Sequence, residues 1–172
     1  ASCAFWIREV RGPAPGEARW SGRTSRTLTK TLPGLEVHVH LTEHMSTSMI
    51  PTRNNLPLKT RTSMADLLNA RLADSVDLYS HAKQAHWNVR GGRLFTLHEL
   101  FDKVSEMALE HSDELAERAG QLGGEVRGTL KDAAKSTSLR PYPHAIGGCE
   151  EHVDALSESL AAYGKLVREA ID

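Results

Sequence analysis

The chain has 172 residues, a formal net charge of −1 and 40% hydrophobic residues. That is enough chain to bury one core, and a charge so near zero gives no overall pull toward nucleic acid. Cys3 and Cys149 have no paired spacing, which argues against a disulfide framework or a structural zinc site, and no apolar run reaches the roughly 20 residues of a membrane span or looks like a signal peptide.

The expected setting is therefore a reducing, cytoplasmic one. Residues 1–44 carry Pro13, Pro15, Pro33, four glycines and a Ser/Thr-rich run over 21–31, with no helical period. They are expected to be disordered. Met45 opens a Ser/Thr-rich stretch and reads as a start, with 1–44 as upstream sequence. Residues 45–62 hold Pro51, Asn54, Asn55 and Pro57 and read as an extended tail. The domain is thus expected over 63–172, behind a leader and tail over 1–62.

A first helix is predicted to start at Ser63, capped with Asp66 three residues on. Leu68, Leu72, Val76, Tyr79 and His86 recur on one of its faces. Gly91-Gly92 ends it near Asn88. A second helix is predicted over 94–122, closed by Gly123-Gly124. Such a length points to a bundle. A short helix over 129–135 follows, then a turn at Pro141 and Pro143. The last helix runs from about Gly148, with Val153, Leu156, Leu160, Tyr163 and Val167 as its apolar stripe. Three amphipathic helices call for a fourth. The class is all-α, and the chain reads as cut before that fourth helix.

The second helix carries the chemistry. His98 and Asp102 are spaced i,i+4, as are Asp113 and Glu117, so each pair lies one turn apart on one face. At about 100° per residue the four fall within a stripe of roughly 100°. Leu97, Leu100, Phe101, Val104, Ala108, Leu115, Ala119 and Leu122 lie opposite. The metal-type residues therefore point away from this subunit's own core. The pairs are about 22 Å apart along the axis, at about 1.5 Å per residue, so one ion cannot use both from one chain. A two-fold antiparallel partner brings one pair onto the other, which predicts a metal site between subunits. Imidazole plus carboxylate suits Fe(II), Mn(II) or Zn(II), and ligand type alone leaves the metal open. Each pair alone reads equally as a solvated helix face, and periodicity alone makes His86 a core histidine and Trp87 ordinary burial.

Four motifs in order change that balance: A-H-W-N-V-R-G at 85–91, L-H-E-L-F-D at 97–102, D-E-L-A-E-R at 113–118 and Q-L-G-G at 121–124. With the connector at 138–143, they closely resemble the Dps family, the ferritin-like DNA-protection-during-starvation proteins. The resemblance implies a ferritin-like four-helix bundle assembling into a twelve-subunit shell. It implies a two-iron ferroxidase site shared at a two-fold interface. His86, His98 and Asp102 would come from one subunit, and Asp113 and Glu117 from its partner. Asp102 and Glu117 would ligate directly, with the two imidazoles. Asp113 would ligate or hold a water or the second iron. Trp87 would lie against the site.

The implied chemistry is oxidation of Fe(II) to Fe(III), with hydrogen peroxide preferred over oxygen, and storage of the ferric product. Glu106 falls in the same stripe and is expected in an interface ion pair. Lys83 and Arg118 are expected in salt bridges, and His111 faces the apolar side. His38 and His40 form an H-x-H in the leader. The alternative is a nucleoid DNA-binding or condensing protein, using Arg53, Lys59 and Arg61 of the tail through phosphate contacts. A structural zinc or manganese site is a third reading.

Overall fold

The computed structural model describes residues 48–171 and, ahead of them, the backbone of two short strands. These strands, β1 (Thr29–Leu32) and β2 (Leu35–His38), pair antiparallel with Thr29 opposite His38 and Leu32 opposite Leu35. The expectation of disorder over 1–44 missed these paired strands: Thr29, Thr31 and Val37 favour extended backbone without any helical period. The rest of residues 1–47, His40 and Met45 included, lies outside the described residues.

Residues 48–171 are all-α, with α1 (Leu58–Asn88), α2 (Leu94–Gln121), α3 (Leu130–Ser136) and α4 (Cys149–Glu169). None of these helices is long and apolar enough to cross a membrane. The first helix begins at Leu58, a turn before the predicted start at Ser63. Pro57 occupies the N-cap, and its carbonyl accepts from the Arg61 amide at 3.0 Å. Proline's fixed φ and missing N–H suit that end of a helix. Arg61 is buried, and its guanidinium donates to the Leu56 and Leu122 carbonyls at 3.2 and 3.0 Å. That anchor holds the extra turn, and it moves Arg61 out of the tail in which the sequence placed it.

Predicted and observed bounds of α2 agree to one residue. Gly123, at φ +84°, donates its amide to Gly120 O, and Gly124 donates to Ala119 O. This is a Schellman stop, which needs a residue tolerant of positive φ. The extended segment before α1 then zips onto that stop: Ile50 N donates to Gly123 O at 2.7 Å and Glu125 N to Ser48 O at 2.9 Å. α3 starts where Thr129 accepts from the Asp132 amide. At the start of α4 the Glu151 carboxylate accepts from the Gly147 and Gly148 amides, which lowers its pKa.

α1 contacts all three other helices. Contacts along α1 and α2 run in opposite directions, from Ser75 against Ala108 to His86 against His98, so the two form an antiparallel hairpin. α4 is also antiparallel to α1, with Arg71 reaching Leu166 O and His81 reaching Ser159. The core gathers Leu78, Ala82, Phe101, Tyr142, Leu156 and Tyr163. The buried face of α1 differs from the predicted one. Leu72 is buried as expected, but Val76, Tyr79 and Leu68 are only half covered, while Ala65, Ala73, Leu78, Ala82 and Ala85 are fully covered. Small alanines let neighbouring backbones approach closely, and hydrophobicity alone underrates them. On α2, Leu100 is 49% exposed rather than in the core.

Candidate metal centre

Hairpin geometry sets the site. The short turn between α1 and α2 places the last turn of α1 beside the first turns of α2, which brings His86 to His98. Their rings stack at 3.5 Å between centroids. His86 Nδ1 donates to the His98 carbonyl and His98 Nδ1 donates to the His86 carbonyl, each at 2.9 Å. A carbonyl only accepts, so each Nδ1 carries the hydrogen and each neutral ring keeps its lone pair on Nε2. Metal-binding histidines are typically oriented this way, with the second nitrogen held by a backbone carbonyl. His86 is therefore not a core histidine. That place belongs to His81, 4% exposed, 3.4 Å from Asp77 and 3.1 Å from Ser159.

Asp102 joins the imidazoles, with Oδ1 3.8 Å from His86 Nδ1. Lys83, one turn before His86, donates to the same oxygen at 2.6 Å. The Lys83 hydrogen bond holds the Asp102 carboxyl below the usual carboxylate range, helped by the charge of Lys83, while partial burial opposes the shift. The ion pair expected of Lys83 is thus present. Arg118 instead donates to Gln121 at 3.2 Å.

Asp113 and Glu117 are exposed on α2, far along the helix from Asp102, and Glu106, one turn from Asp102, is exposed too. Among the described residues of one chain, no three metal-type side chains converge closely enough to hold an ion. Along one outward stripe of α2 the chain presents two separate groups of metal-type side chains, His98 with Asp102 and Asp113 with Glu117. Trp87, next to His86 in α1, is 67% exposed, with the Lys83 ammonium 6.0 Å from its ring centre. Phe95 and Leu109, 89% and 56% exposed, fall within the same stripe of α2 at about 100° per residue. His111 stacks on Tyr163 at 6.3 Å, on the opposite side. The histidine–carbonyl exchange was invisible to sequence reasoning, because it depends on the register of two helices. A polar cluster was also missed: Tyr142 and His152 share a 2.9 Å hydrogen bond in the core, and no local motif marks them.

Known proteins resemble this chain in sequence and fold. The ferritin-like domain family matches residues 65–172. A DNA protection during starvation protein from Agrobacterium fabrum is 38% identical over 121 residues, covering 70% of this chain and 75% of that one. Among solved structures, the tetragonal form of Mycobacterium smegmatis Dps is 30% identical with a TM-score of 0.67, covering 71% of this chain and 75% of its own. Dps from Microbacterium arborescens, solved in a high-iron form, is 28% identical with a TM-score of 0.63, covering 72% and 78%. With the hairpin, the paired imidazoles and the carboxylate stripe already in place, these likenesses assign the chain to the Dps family of ferritin-like proteins.

Proposed function

We propose that this protein oxidises Fe(II) to Fe(III), with hydrogen peroxide as preferred oxidant, at sites shared by two subunits, and stores the ferric product. One observation carries the reading. His86 and His98 have their Nδ1 hydrogens tied to carbonyls, which leaves each Nε2 free to ligate, and Asp102 Oδ1 lies 3.8 Å from His86 Nδ1, while the complementary carboxylates Asp113 and Glu117 stand on the same outward stripe about 22 Å away. Such a stripe is completed by an antiparallel copy of itself. The high-iron form of the Microbacterium arborescens relative supports iron as the metal.

In this reading His86, His98 and Asp102 of one subunit and Asp113 and Glu117 of another bind iron as substrate. Two Fe(II) ions each give one electron to one peroxide. Its O–O bond breaks, and two protons from solvent complete two waters. Pairing the electrons avoids release of hydroxyl radical, which protects DNA without touching it. A twelve-subunit shell would retain the ferric product.

DNA condensation has less behind it. Of the three tail cations, Arg61 is buried and committed to the Leu122 carbonyl, leaving exposed Arg53 and Lys59.

The test is anaerobic Fe(II) loading of the chain followed by a peroxide pulse, tracking ferric absorbance beside Asp113→Ala. Rapid oxidation lost in the variant is expected. Equal rates in both chains would sink the shared site.

A further inference from the structure

Lys83 stands outside the ligand set but inside the site. Its ammonium lies 2.6 Å from Asp102 Oδ1, and its side chain is only 19% exposed. It projects from α1 one turn before His86, on the face that looks at Asp102. This differs from the Lys103–Glu99 pair on α2, where both side chains are about two-thirds exposed and the interaction is worth little. The Lys83 pair bridges two helices, with the Trp87 ring 6.0 Å from the ammonium. An ammonium and a divalent ion on the same carboxylate oxygen repel each other at a few ångströms, and Lys83 already holds Asp102 Oδ1.

Resting on the iron-site reading above, we propose that Lys83 is a specificity-determining tethered cation: it holds Asp102 Oδ1 and must withdraw before that oxygen can ligate. Its role is positioning and competition. It keeps the carboxylate charged and aimed, and it weakens binding of divalent ions that cannot displace it. The flexible four-carbon stem allows withdrawal toward solvent. The balance of charge follows directly. Lys83 sets one ammonium against one carboxylate, and an incoming divalent ion replaces that single charge with a double one.

The experiment is an anaerobic titration of the full chain with Co(II), a redox-inert stand-in for Fe(II), read by calorimetry and by cobalt visible absorption. Lys83→Met, similar in length and uncharged, is expected to bind about ten-fold more tightly, about 1.4 kcal/mol. Lys83→Arg, which keeps the charge, is expected to stay within about three-fold of the unaltered chain. A merely structural lysine would weaken binding when removed, so unchanged or weaker binding by Lys83→Met, with circular dichroism showing intact helices, overturns the proposal. Asp102→Asn separates the two ideas. If it binds Co(II) as the unaltered chain does, the iron site itself is misplaced. If it loses Co(II) while Lys83→Met is unchanged, only the role of Lys83 fails.

Discussion

His81 and His152 show how a residue's surroundings turn into a pH response. Both are buried, and burial lowers both pKa values; Asp77 opposes the shift at His81, and Glu151 with the Asn88 carbonyl opposes it at His152. Tyr142 touches both, through its ring against His81 and its hydroxyl at His152, and burial pushes its own pKa up to about 12. A histidine whose folded pKa is depressed binds fewer protons folded than unfolded. Its contribution to stability is full above the unfolded value and is lost as pH falls through the lowered one. The melting temperature should therefore drop on going from pH 7 to about pH 5, starting below about 6.5. A His81→Gln/His152→Gln double variant should show a shallower drop in thermal melts at the two pH values. Identical slopes would rule out these two rings as the cause. Iron loading should weaken over the same interval for a separate reason, because imidazole binds metal only when neutral. Equal loading at both pH values would contradict the ligand set.

Helix ends and faces decide how firmly the half-sites are held. Gly123 closes α2 at φ +84°, and a Cβ there would meet Thr52 Cγ2 at 2.5 Å and the Ile50 carbonyl at 2.6 Å. Gly123→Ala combines backbone strain with that collision, so it should cost about 1–3 kcal/mol, read as a lower urea midpoint. A midpoint equal to that of the unaltered chain would mean the extended segment slides away freely. Phe101 is 2% exposed and follows the Leu100 position directly. It sits in the core between α1 and α2, one residue before Asp102. Truncation to alanine should cost about 3–5 kcal/mol, and the paired imidazoles should loosen with it. The same urea titration gives the number, and a loss under 1 kcal/mol would mean the hairpin collapses onto the gap.

Across the whole molecule, the outward stripe of α2 mixes carboxylates, an imidazole and large apolar groups. Phe95 and Leu109 are exposed there, an arrangement that a second copy would cover. Leu109 lies between the two half-sites, so in a two-fold antiparallel pair it falls near its own symmetry mate. Leu109→Arg would set like charges against each other at that point. Sedimentation velocity should show a shift toward monomer, and peroxide-driven Fe(II) oxidation should fall in parallel. Loss of association with full oxidation would mean a single chain suffices for the chemistry.

Amino-acid order alone determined the helices of the bundle, because helical period and glycine punctuation are local properties. Gly123-Gly124 marked the end of α2 to within a residue. It also determined that His98, Asp102, Asp113 and Glu117 share an outward stripe, since 3.6 residues per turn needs no tertiary contact. The tertiary structure decided what two helices do to each other. It stacked His86, which periodicity alone would put in the core, on His98, and it set Lys83 on Asp102. It also buried Arg61 against the end of α2 and chose alanines rather than large side chains as the inner face of α1. Each of these depends on the register and separation of neighbouring backbones, which no spacing within one helix encodes.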